Sequence, residues 1–165
     1  MNTEILSNLG LPMGMVQDLM LLLLIMLVSF VFGMFIGKRR LVTVLINIYV
    51  SFSILMVVPK AYLTSYTMAL IFFYVLLIVL TIFGDKLFEI TISGSGSGFL
   101  GRVFAVSFFE VVLLVSITLS EIPKKEALAY VSKTAYGYLT DPNFQFLWMV
   151  APLALLFLIH KRLGR

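Results

Sequence analysis

The sequence predicts an all-α protein: a polytopic transmembrane helical bundle of about five spans, forming a single integral membrane domain over residues 1–165. Three observations carry this expectation. Of the 165 residues, 61% are hydrophobic and only 12% charged, with a mean hydropathy of +1.10; a soluble domain is about 45–50% apolar and about 25% charged. The apolar residues gather into five stretches, and a bilayer core takes about 20 helical residues, with a range of about 17–25. The stretches also lack the in/out alternation of a membrane barrel. Together these features exclude a soluble enzyme, a disordered tail and a nucleic-acid module.

The spans follow in order. The first covers about 19–37, between Asp18 and Lys38, and the second about 41–59, ending at Pro59. The third covers about 62–84, with its most apolar part from Thr67 to Gly84. The fourth, about 99–122, is long enough even though it carries Arg102 and Glu110. The fifth, about 144–160, is shorter and contains Pro152, which should kink it or end a helical piece. The amino terminus has no basic region and no small-residue cleavage site after the apolar run, so the first stretch is expected to stay as a span.

Two connections have a character of their own. Ser93 to Gly98 alternates serine and glycine, which breaks helix and strand alike and lets the chain turn back into span four. In the connection 123–139, Leu128, Val131, Ala135 and Tyr138 recur at helical spacing, opposite Lys124, Lys125, Glu126 and Lys133. That pattern predicts an amphipathic helix lying on the membrane surface.

Charge sets the expected orientation. Lys38, Arg39, Arg40, Lys86, Arg102, Lys161, Arg162 and Arg165, eight of the twelve basic residues, fall on one side of a five-span topology. Basic residues favour the cytoplasm. The expected placement is the cell inner (plasma) membrane, amino terminus outside and carboxyl terminus cytoplasmic. Tyr62, Tyr66, Tyr130, Tyr136 and Tyr138 then cluster at the outer interface with Trp148, where such side chains concentrate.

The intramembrane polar residues are the candidate functional positions. Glu110 stands near the middle of span four; at 100° per residue Ser107, Glu110, Thr118 and Glu121 fall within an arc of about 80°. The stripe is read either as a proton or ion relay or ligand contact, or as interhelical hydrogen bonding. Span two offers Thr43, Asn47 and Ser51 at every fourth residue, and span three Thr67, Tyr74 and Thr81 at every seventh. Such groups act as glue between helices or line a cavity. Gly33 and Gly37 form a G-x-x-x-G that allows close helix packing within the chain or between chains. Lys38, Arg39 and Arg40 set topology or touch anionic head groups.

No cofactor or metal is expected: there is no cysteine, and His160 is the one histidine. The sequence carries no H-E-x-x-H, G-x-S-x-G or P-loop, so it reads as non-enzymatic. The expected partners are membrane lipids and other membrane proteins or further copies of this chain, with no nucleic acid.

Residues 33–41, where a span ends in glycine and basic residues and the next follows at once, and Gly98-Phe99-Leu100-Gly101-Arg102-Val103-Phe104-Ala105 resemble the colicin V production protein family of small bacterial inner-membrane proteins. The resemblance covers roughly 17–120. This chain lacks the Asp-Arg pair expected before Leu100-Gly101, has Phe108-Phe109 where Arg-Gly is expected, and adds a fifth apolar segment. The resemblance implies a role in envelope homeostasis or export and assigns no catalytic residue. An accessory or scaffold component of such an assembly is the expected function. The other reading is the protomer of a small oligomeric channel or transporter, with Glu110, Asn47 and Tyr74 in a polar path.

Overall fold

Gly37 divides the first and longest helical run. In the computed structural model, α1 spans Met13–Val57, and within it Gly37 has φ 69° and ψ 163°. That backbone region is open essentially to glycine alone. The break separates two arms, α1N (Gly14–Gly37) and α1C (Arg40–Val57), each long and apolar enough to cross a membrane. The structure describes the backbone of residues 13–59, 61–84 and 99–163, and their side chains except those of 13, 38, 39, 99 and 160–163. The Ser-Gly connection, the side chains of Lys38 and Arg39, and the terminal basic cluster lie outside the described residues.

After α1 come α2 (Tyr66–Gly84), α3 (Phe99–Glu121), two short helices α4 (Lys124–Ala127) and α5 (Lys133–Thr140), and α6 (Pro142–Leu163). The described residues are helical without strands, and five segments have the length and composition of membrane spans: the two arms of α1, α2, α3 and α6. The protein is thus a helical membrane bundle. Compared with the sequence expectation, the first helix already includes Met13, ahead of residue 19, and the third span starts later, at Tyr66. The fifth starts at Pro142 because Asp141 caps it: the Asp141 carboxylate accepts from the Asn143 backbone N–H at 3.0 Å. Pro142 then occupies the first helical position, where its missing N–H removes no helical bond.

The connection from 123 to 139 is two short helices rather than the one amphipathic helix expected. Ser132, with φ −65° and ψ 159°, leaves helical geometry and its hydroxyl accepts from Ala135 N, starting α5 anew. Ala127, Val131 and Leu139 turn inward against Val111, Val112, Leu119 and Ile25, whereas Leu128 and Tyr138 face outward.

Packing is organised around α1C and α3. Half of each is buried, against 17%, 22% and 11% for α1N, α2 and α6. Leu41 packs with Val106 and Ile159, while Val44, Leu45, Ile48, Phe52 and Leu55 pack with Leu113 and Ile117. The two central helices therefore run parallel. α1N runs against them: Ile25 lies in the cluster of Val111 and Leu119, and Gly33 beside Val103 and Ser107. Its inward residues, Leu21, Ile25, Ser29 and Gly33, recur at every fourth position, the ridge that packs into a neighbour's groove. The remaining surfaces of α1N, α2 and α6 are rows of outward Leu, Ile, Val and Phe.

Lipid is as apolar as leucine, so small residues and polar contacts decide how such helices associate. Gly33 is one such point: a Cβ there would stand 2.7 Å from Ser107 Oγ. Gly84 is another, where a Cβ would stand 3.1 Å from Asn47 Nδ2. Gly37 differs from its G-x-x-x-G partner, because a Cβ there meets nothing within 4 Å. Its role is conformational. Gly37→Ala is expected to destabilise the bundle by about 1–3 kcal/mol through backbone strain, read as a lower thermal midpoint in detergent. An unchanged midpoint would show that the turn tolerates a side chain.

Candidate functional site: a buried carboxyl in the α1–α3 seam

The described polar side chains at membrane depth fall into two groups. Most are engaged between helices. Asn47 Nδ2 donates to Thr81 Oγ1 at 3.3 Å, joining α1C to α2. Tyr74 and Thr118 hydroxyls lie 2.6 Å apart, joining α2 to α3, and Thr118 also donates back to Leu114 C=O. Ser116 Oγ donates to Leu139 C=O at 2.5 Å, tying α3 to α5. The Tyr49 hydroxyl donates to Met149 C=O on α6. That carbonyl lies in the turn preceding the buried Pro152, where the proline ring disturbs the helical ladder and neighbouring helices re-satisfy backbone groups.

The second group is buried without partners. Neither carboxyl oxygen of Glu110 makes a hydrogen bond, and neither do Ser107 Oγ and Ser51 Oγ. Glu110, Ser107 and Ser51 are each 0% exposed. Ser107 lies one turn before Glu110 on the same face of α3, about 5–6 Å apart at the Cβ atoms. That face meets α1: Gly33 lies against Ser107. Ser29, one turn from Gly33 on the antiparallel arm, falls on the stretch level with Glu110; it is fully buried and its hydroxyl donates to Ile25 C=O at 2.6 Å. Ser51 sits further along α1C, near the level of Phe52 and Ile117.

The stripe read from span four is therefore split by its neighbours. Ser107 and Glu110 face α1, Thr118 faces Tyr74 of α2, and Glu121 lines a cavity of about 300 Å³ with Leu63, Ser65 and Tyr66 at the end of the bundle. Thr43 is buried on α1C, and Thr67 is exposed at the start of α2. Arg40 is exposed at the start of α1C. An arc on a helical wheel states which residues share a face; it does not state that one neighbour covers them all.

Several residues that position the site carry little sequence signal. Ser29 extends the small-residue spacing of Gly33 one turn earlier, which is visible in the sequence. The bonds at the far end were not legible: Ser132 Oγ donates to Asp18, and Tyr66 OH to Glu126 at 2.5 Å. Trp148 Nε1 donates to Tyr138 C=O at 2.8 Å. These bonds gather Asp18, the start of α2, the 122–141 connection and the start of α6 at one end.

An ionised acidic side chain at bilayer centre costs roughly 2.5–3.5 kcal/mol even on the lenient insertion scale, and an unpaired buried polar group about 1–3 kcal/mol. Glu110 thus opposes stability where it stands. Among the described residues no group of three His, Cys, Asp or Glu could hold a metal ion. No protein-family model, curated protein or solved structure matches the chain.

Proposed function

We propose that the protein is a non-enzymatic component of the bacterial inner membrane that works through contacts inside the bilayer, as an accessory or scaffold subunit of an envelope or export assembly. The observation that carries this reading is the outward surface of α1N, α2 and α6, which is apolar along their lengths. The described connections at the Asp18 end are tied to one another by hydrogen bonds, and the apolar membrane-level surface is the face this reading puts to work. The resemblance to the colicin V production protein family supports the same reading. The two segments that bear it meet in space, with Gly33 against Val103 and Val103 also packed on the cluster of Leu41. The orientation that goes with this proposal is amino terminus outside and carboxyl terminus cytoplasmic.

The test is the mass and composition of the particle extracted from its own membrane in mild detergent. A second protein in fixed stoichiometry is expected. A particle made of this chain alone would count against the accessory role.

The unpartnered carboxyl favours a second reading, an oligomeric channel or transporter protomer with Glu110 in its path. On that reading Glu110→Gln changes ion or proton flux in vesicles while expression stays normal. Unchanged flux, where the parent protein conducts, removes it.

A further inference from the structure

Among the described residues, Glu110 is the one charged side chain that the bundle seals completely. Neither of its carboxyl oxygens has a hydrogen-bond partner; the basic residues on the two central helices are Arg40, exposed at the start of α1C, and Arg102 on α3. Tyr49 on α1C is near enough to interact with it electrostatically, but the Tyr49 hydroxyl is occupied by Met149 C=O. On α3 itself, Arg102 stands eight residues before Glu110 and Glu121 eleven after, about 12 and 16 Å along the helix axis. α1N offers Ser29 and Gly33 at this level and has Asp18 as its one ionisable residue, near the far end. α6 has no ionisable side chain between 142 and 159, and α2 offers only Tyr66 and Tyr74. The other buried hydroxyl on this face of α3, Ser107 Oγ, lies one turn before Glu110 and is likewise without a partner, the two side chains not bonding to each other as they stand. The missing Cβ of Gly33 lets α1 close over that hydroxyl.

We propose that Glu110 and Ser107 form an intramembrane site for one exchangeable monovalent cation, a proton or a sodium ion. Either cation neutralises the carboxylate, which hydrocarbon and protein leave otherwise unpaired. A proton neutralises the carboxyl directly, and rotation of the Ser107 side chain toward Glu110, one turn away, then lets the two groups hydrogen-bond. A sodium ion takes the same oxygens as hard ligands, a donor set of carboxylate and hydroxyl suited to such an ion. No bond to carbon forms or breaks. The site shares its residue with the channel reading but does not depend on flux: a bundle that binds the cation and conducts nothing keeps this inference and removes the channel.

Infrared difference spectroscopy on the full chain in lipid nanodiscs tests it. The C=O stretch of a neutral carboxylic acid is assigned to Glu110 by its loss in Glu110→Gln, and by its shift in Glu110→Asp in case the glutamine variant fails to fold. For a proton site, the band is expected to bleach as pH rises and to ignore sodium chloride when choline chloride is the control. For a sodium site, sodium bleaches it saturably at constant pH, and Ser107→Ala weakens that effect about tenfold or more, as for a lost hydrogen-bonding ligand of a charged group. A Glu110 band indifferent to both pH and sodium over the range where the helices stay folded by circular dichroism overturns the proposal. So does a spectrum with no Glu110 contribution that either cation changes.

Discussion

Glu110→Leu is expected to raise the thermal midpoint of the bundle in detergent. A charged residue inside a membrane bundle is commonly credited with holding it together, and removing it would then loosen the fold. Here the carboxyl oxygens meet no donor, so the substitution breaks no interhelical bond. It replaces an unsatisfied buried polar group with an apolar one among Val106, Leu113 and Ile117, which are all fully buried on the same helix. Relief of the desolvation penalty is worth about 1–3 kcal/mol, which corresponds to a rise of several degrees for a chain of this size. Glu110→Gln keeps a polar head in the same place and is expected to gain less. A leucine variant that melts lower than the parent would show that the carboxyl contributes net attraction to the bundle. A stabilised variant that loses its biological role would mark Glu110 as a residue kept for function at a cost in stability.

Gly33→Leu has the opposite expectation and a larger effect. The Cβ position at Gly33 is 2.7 Å from Ser107 Oγ and 3.4 Å from Ser107 Cβ, with Val103 Cγ1 at 3.5 Å. A leucine must push α1N away from α3, opening the seam that buries Glu110. Overpacking of this kind typically costs about 1–3 kcal/mol, and more where backbones touch. The expected readout is loss of the monodisperse peak in size-exclusion chromatography. Gly33→Ala is milder, because the Ser107 hydroxyl can rotate aside. Combined with Ser107→Gly it should recover most of its loss, giving a coupling of about 0.5–3 kcal/mol in a double-mutant cycle. Additive effects would mean that the two residues do not touch.

The helical membrane class and the five spans were legible because hydropathy and length act locally: each run had to be long, apolar and bounded. Glu110 stood out for the same reason, as a carboxyl in a row of valines and leucines. Its lack of a partner was not legible, since that depends on which helix covers which part of α3. The wheel placed Thr118 with Glu110, and packing gave Thr118 to Tyr74 of α2 instead. The G-x-x-x-G motif shows the same limit. Gly33 and Gly37 look equivalent in sequence, yet one is a contact and the other a turn with φ 69°. The break at 128–132 was hidden because Leu128, Val131, Ala135 and Tyr138 keep helical spacing across it, while Ser132 signals a cap only when its hydroxyl is seen on Ala135 N.

All of these expectations rest on a chain that crosses five times, so that consecutive connections alternate sides. The absence of native cysteine allows a direct measurement: single cysteines at Thr64, Ser95 and Lys133, challenged with a membrane-impermeant thiol reagent on intact cells and after permeabilisation. Thr64→Cys and Lys133→Cys are expected to react from outside, and Ser95→Cys only once the cytoplasmic face is opened. Labelling of Thr64→Cys and Ser95→Cys from the same side would contradict the five-span bundle.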